Sequence, residues 1–127
     1  MNNDDFRKAF HNILNQALFF SEKARREGLL SLSEALNEHD EKIKQRNILY
    51  YGLSLATDGI DNGIIEKILS NLVNQEKDEY ERLLKTIQRE AVFSIMRGDN
   101  PRVMALLLNS HTGIPLNDPE MNSLLKF

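Results

Sequence analysis

The side chains that could do chemistry are few and scattered. His11, His39 and His111 are the three imidazoles of the chain, and they share no helical face. A zinc or iron site needs ligands at spacings such as i and i+4, joined by a third group. Isolated surface histidines are the simpler expectation, and no metal or other cofactor is expected. Asp58-Gly-Ile-Asp61-Asn62-Gly63 superficially has the look of a calcium loop. Such a loop needs an acid two residues after the first and a glutamate at its twelfth position. Those places hold Ile60 and Leu69, so helix punctuation is the better reading. Cysteine is absent, which removes disulfides, thiolate metal sites and cysteine nucleophiles together. No serine lies in a nucleophile-elbow context, and no glycine-rich phosphate loop occurs. A non-catalytic protein is the expectation.

What remains is charge and aromatic surface. Lys23, Arg25 and Arg26 gather at one helix end, where cations complement the helix dipole, and Glu34 follows shortly after. A recognition patch is the functional alternative. With Phe20 on the core stripe, Phe19 points about 100° away, as a contact for another chain or as cover for a neighbouring helix; Tyr50 beside Tyr51 poses the same question.

These residues must be held by helices. Phe6, Phe10, Ile13, Leu14, Ala17, Phe20 (or Ser21) and Ala24 recur at helical steps and form one apolar stripe. Asp4 or Asp5 can cap its start, and Gly28 ends it. Ser31-Leu-Ser-Glu34 has the capping-box spacing, so a short helix is expected over about 32–38. Another is expected over about 41–57, carrying Ile43, Ile48, Leu49 and Leu53. Asp58 and Gly59 close it, and Asp61 caps the next. From Asn62 to Arg97 there is no proline, and no glycine after Gly63. The spacing predicts one helix over about 62–97, about 54 Å long at 1.5 Å per residue. Its ends are apolar, its middle from Asn74 to Glu81 polar, with Glu81 and Lys85 spaced to pair. Gly98 ends it; Asn100 caps another helix and Pro101 opens it, with Val103, Met104, Leu106 and Leu107 as its apolar face. Arg102 follows. Residues 112–127 read as an extended tail in which Leu124 and Leu125 dock locally.

The expected fold is therefore all-α: one domain over 1–127, a small helical bundle built around the long helix. The chain has 127 residues, 41% hydrophobic and 28% charged, enough for a core of its own. A net charge of −3 does not suit a nucleic-acid binder. No apolar run reaches the roughly 18–20 residues that span a bilayer. The opening residues carry acids where a secretion signal carries cations, so the cytoplasm is the expected compartment.

Three segments resemble a known family. Ser21-Glu-Lys-Ala-Arg25-Arg-Glu-Gly28-Leu-Leu-Ser-Leu32 is similar to the segment after the second membrane helix of MotA-type flagellar stator proteins. Gly52-Leu-Ser-Leu-Ala-Thr-Asp58-Gly59-Ile-Asp61, followed by Ile64-Ile-Glu-Lys-Ile-Leu69, resembles the next part of that cytoplasmic region. Ala91-Val-Phe-Ser-Ile95-Met-Arg-Gly98-Asp-Asn-Pro-Arg102, with Leu106-Leu107, is similar to the family's cytoplasmic C-terminal tail. The segments occur in family order. The family's first two membrane helices have no counterpart, and Asn74 to Arg89 stands where the third and fourth would lie.

The resemblance implies a flagellar motor protein that retains a cytoplasmic contact surface and no ion channel. The rotor switch protein FliG is the first partner implied, with MotA and MotB as others, and the membrane is reached only through them. The family's rotor-facing arginine falls on Arg25. Its second important charge falls on Ser33, with Glu34 one place later. The implied partner surface is thus Lys23, Arg25, Arg26 and Glu34. Gly28, Asp58, Gly59, Asp61, Gly98, Asn100, Pro101 and Arg102 are structural. A second copy of the chain is a further candidate partner. Two other readings compete: an excised or engineered stator domain without an independent role, and a helical ligand-binding protein or enzyme.

Overall fold

A computed structural model describes residues 2–116 and 118–124, without the side chains of 41, 43, 45, 120, 121 and 124. The expectations for Ile43 and for Leu124 and Leu125 docking lie outside the described residues. The architecture is all-helical, with no strand among the described residues. The order is α1 (Asn3–Glu27), a 3-10 turn (Leu29–Ser31), α2 (Leu32–Leu36), α3 (Glu41–Arg46), α4 (Ile48–Thr57), α5 (Asn62–Gln75), α6 (Glu79–Arg97), α7 (Pro101–Asn109) and α8 (Pro119–Leu124).

α1 buries Phe6, Phe10, Ile13, Leu14, Ala17, Phe20 and Ser21, the stripe expected from its spacing. Its first amides are capped by the Asn2 side chain, which accepts from Asp5 N, and not by Asp4 or Asp5. α6 is the hub, packed against α1, α4, α5 and α7. Phe6 also meets Tyr80 of α6, ring centroids 5.7 Å apart.

The single helix over 62–97 does not form, so the bundle is not built around it. The backbone becomes extended at Glu76 and Asp78. Glu76 holds the break. Its carboxylate accepts from the amides of Lys77 (3.0 Å) and Asp78 (3.3 Å) and from Lys85 Nζ (2.9 Å). Its carbonyl accepts from Arg82 Nη1 at 3.0 Å. Lys85 therefore pairs with Glu76, not with Glu81. Asp78 caps α6 by accepting from Glu81 N at 2.9 Å. The break lets α5 fold back against α6. Ile65 and Leu69 are then buried in one core with Leu84, Ile87 and Val92. A straight rod would hold those two stripes apart.

The expected helix over 41–57 is likewise divided, at Asn47. Its Oδ1 accepts from Leu49 N (3.0 Å), Tyr50 N (3.2 Å) and Gln88 Nε2 (3.2 Å). One amide thus caps α4 and ties it to α6.

Two further expectations change. α7 buries Met104, Ala105 and Leu108, while Val103 and Leu106 are exposed. Packing against α1 and α6 decides the buried face of α7, which falls about one residue from the expected one. The tail is not extended throughout. Ile114 is buried and its carbonyl accepts from Asn109 Nδ2 at 3.2 Å. Asp118 pairs with Arg7 of α1 at 2.6 Å, and α8 follows.

Candidate interaction surface at the end of α1

The last turn of α1 carries Arg25 and Arg26, and Lys23 lies just before it. Gly28 (φ 90°) stops the helix, its amide donating to Ala24 O at 2.8 Å. Lys23 Nζ donates to Glu27 at 3.0 Å, an i, i+4 pair. Arg25 reaches the neighbouring turn between α6 and α7, and its Nη1 donates to Gly98 O at 3.3 Å. Arg26 is exposed, as is Glu34 on α2. Among the described residues Glu34 pairs with none of the three cations. The structure brings Arg25 to the Gly98 turn and leaves Glu34 outside that contact.

The capping box at Ser31 does not form. Leu29–Ser31 is already a 3-10 turn, and Ser31 is helical (φ −63°, ψ −20°) rather than extended. Its hydroxyl donates back to Gly28 O at 2.6 Å, and that of Ser33 to Leu30 O at 2.9 Å. A hydroxyl spent this way does not cap α2.

The turn that receives Arg25 is built as the residue types demand. Gly98 is left-handed (φ 75°, ψ 27°), its amide donating to Ile95 O. A side chain there would cost conformational energy. Asn100 Oδ1 accepts from Arg102 N at 2.8 Å, and Pro101 is the first residue of α7. Asp99 accepts from Arg97 Nη2 (2.7 Å) and Ser94 Oγ (2.8 Å). The bond from Arg97 is the main reason its carboxyl is held below the usual range; burial works against this, and the Ser94 bond adds to it. Ser94 and Asp99 are thus part of the site, and the sequence reading missed them. The signal was the acid five residues after a serine, astride the glycine.

A lowered carboxylate has a defined pH consequence. The charged form of Asp99 is favoured in the fold, so its contribution is present above the unfolded-state pKa and is lost as pH falls through the folded one. Thermal unfolding followed from pH 6 downward should show stability decreasing through the acid range. Asp99→Asn should start less stable at pH 6 and show a shallower decline. Parallel curves for both proteins would refute the assignment.

The other expected punctuation is in place. Gly59 (φ 80°) follows α4, and Asp61 caps α5 by accepting from Gly63 N (2.9 Å) and Ile64 N (3.3 Å). The histidines are apart: His111 Nε2 meets Glu90 at 2.5 Å, and the His39 ring lies tilted against Tyr50, centroids 4.8 Å apart. Among the described residues no three His, Asp or Glu side chains are grouped to hold a metal, and no helix is long and apolar enough to cross a membrane.

Compared with family models, curated proteins and solved structures, the chain matches none.

Proposed function

We propose that this chain is a non-catalytic interaction module of the bacterial flagellar motor. It binds a rotor or stator component through the cationic end of α1. FliG is the first candidate, and the cytoplasmic region of MotA and MotB are the others. The observation that carries the reading is the bond from Arg25 to Gly98. Arg25 is the residue matched to the family's rotor-facing arginine, and Gly98 opens the Gly-Asp-Asn-Pro-Arg motif. Two segments that resemble the same family at a distance in sequence therefore meet in space.

The physics of such a contact is defined. Exposed charges at an interface set on-rate and specificity more than affinity. They weaken with salt, because the Debye length falls from about 10 Å at 0.1 M to about 3 Å at 1 M. A motor component that engages and releases repeatedly suits that regime.

Titration calorimetry against purified FliG, MotA cytoplasmic region and MotB is the test. Binding to one of them at low salt, decreasing as salt rises, is expected. Arg25→Glu combined with Arg26→Glu should abolish it. Arg25→Glu also removes the bond to Gly98, so Arg26→Glu alone, at an exposed position, serves as the variant that leaves the fold intact and should weaken binding. Absence of binding to all three at low salt would leave the arginines only structural roles: the helix dipole, about 0.3–1 kcal/mol each, and for Arg25 the bond to Gly98. Binding indifferent to both variants would do the same.

A further inference from the structure

Phe19 has no role in the core. It is 54% exposed, on the side of α1 opposite the buried stripe. It is not isolated, however. Its ring meets Phe20 edge-on at 5.4 Å, Phe20 meets Tyr50 at 5.4 Å, and Tyr50 meets His39 at 4.8 Å. This row of rings lines an open groove of about 470 Å³, bordered by Gln16, Phe19, Phe20, Glu38, His39 and Tyr50. The rings fix one another, so the groove is pre-formed, and burying a rigid aromatic surface costs little side-chain entropy.

The charges around Phe19 are arranged in a particular way. Lys23 and Arg26 lie four and seven residues after it, on the same face of α1. Glu38 borders the groove on the other side. A knob, a groove, an acid and two cations thus share one surface. Two copies related by a two-fold axis would each place Phe19 against the other's groove and bring Lys23 or Arg26 toward the other's Glu38. Such self-complementarity is what an isologous interface requires. It also answers the repulsion between two molecules that each carry a net charge of −3, because the local charges are of opposite sign.

We infer that the outer face of α1, centred on Phe19, joins two copies of this chain into a two-fold dimer. The dimer surface shares Lys23 and Arg26 with the proposed motor contact, but its centre, Phe19, lies outside that contact. Arg25 lies six residues after Phe19, about 240° round the helix, and turns to Gly98.

Sedimentation velocity on the full chain, from micromolar to millimolar concentration, is the experiment. A concentration-dependent shift from one to two chains is expected. Phe19→Ala keeps a good helix former at an exposed position and should raise the dissociation constant at least about tenfold, as loss of an aromatic anchor does. Circular dichroism should show its helix content unchanged. Lys23→Glu should also weaken the dimer, and Lys23→Glu with Glu38→Lys should restore it. A chain that stays monomeric throughout would overturn the inference, even if another protein then occupied the groove. A dimer indifferent to Phe19→Ala, or a double reversal that fails to restore association, would overturn it as well.

Discussion

Phe10→Ala is expected to remove about 3–5 kcal/mol of stability, the range for an aromatic ring deleted from a closed core. The ring is fully buried, midway along the face by which α1 meets α6 and α7. A domain of this size holds only about 5–15 kcal/mol in all, so the variant should be close to unfolding at ambient temperature. Ile68→Ala is the control. Ile68 belongs to the first apolar end of the helix expected over 62–97, which would set it in the core with Phe10. In the structure Ile65 and Leu69 take the buried positions on α5, and Ile68 is only half-buried. It should cost less than the roughly 2–5 kcal/mol of a buried isoleucine. Urea unfolding of both variants, with unchanged slopes, measures this. Equal losses, or no loss for Phe10→Ala, would contradict the packing.

Gly52→Leu should be nearly as damaging, for the opposite reason. Gly52 lies inside α4, buried where α4 crosses α5 and α6. A Cβ added there would stand 2.7 Å from Val92 Cγ2 and 2.9 Å from Leu69 Cδ1. Leu69 can move a methyl, but the β-branched Val92 has little rotamer freedom on its helix. Overpacking costs about 1–3 kcal/mol and at times more, and a leucine should reach the upper end. Gly52→Ala is subtler. Alanine recovers about 1 kcal/mol of helix propensity, which offsets part of the clash. In a double-mutant cycle Val92→Ala should relieve Gly52→Ala, so that the pair costs less than the sum of the two. Strict additivity would mean that the close approach does not limit the fold.

The all-helical class and the face of α1 were legible in the sequence because both follow from local spacing. Phe6 to Phe20 keeps one period for four turns, and no tertiary contact overrides it. The turn at Gly98 to Pro101 was legible for a similar reason: each residue there has a conformational preference that no neighbour contests. The breaks at Asn47 and Glu76 were not. Neither contains glycine or proline, and the residues from Asn74 to Glu81 are acceptable in a helix. What decides them is tertiary. Doubling back lets Ile65 and Leu69 share a core with Ile87 and Val92, and Glu76 gathers four donors at the bend. Asp78 three residues before Glu81 has the spacing of a helix cap, the one local sign of the break. At the surface, the cations at the end of α1 were visible as a cluster, but the reach of Arg25 to Gly98 was not, because a contact across 73 residues leaves no trace in spacing.

The pairing of α1 with α6 and α7 sets the order in which the molecule can be made. On a ribosome α1 emerges well before its principal partners, α6 and α7. Until synthesis reaches Glu79 the stripe from Phe6 to Phe20 lacks α6, and until it passes Asn109 it lacks α7; before then it has the adjoining 3-10 turn and α2, with Tyr50 of α4 against Phe20. A nascent chain halted before Glu79 therefore carries Phe10, Leu14 and Ala17 open to water, a stretch that a chaperone would hold. The helices from α4 to α7 pack in sequence with their neighbours and can associate as they appear. Closure by α1 comes after them, as a long-range event whose loop entropy must be met before any contact rewards it.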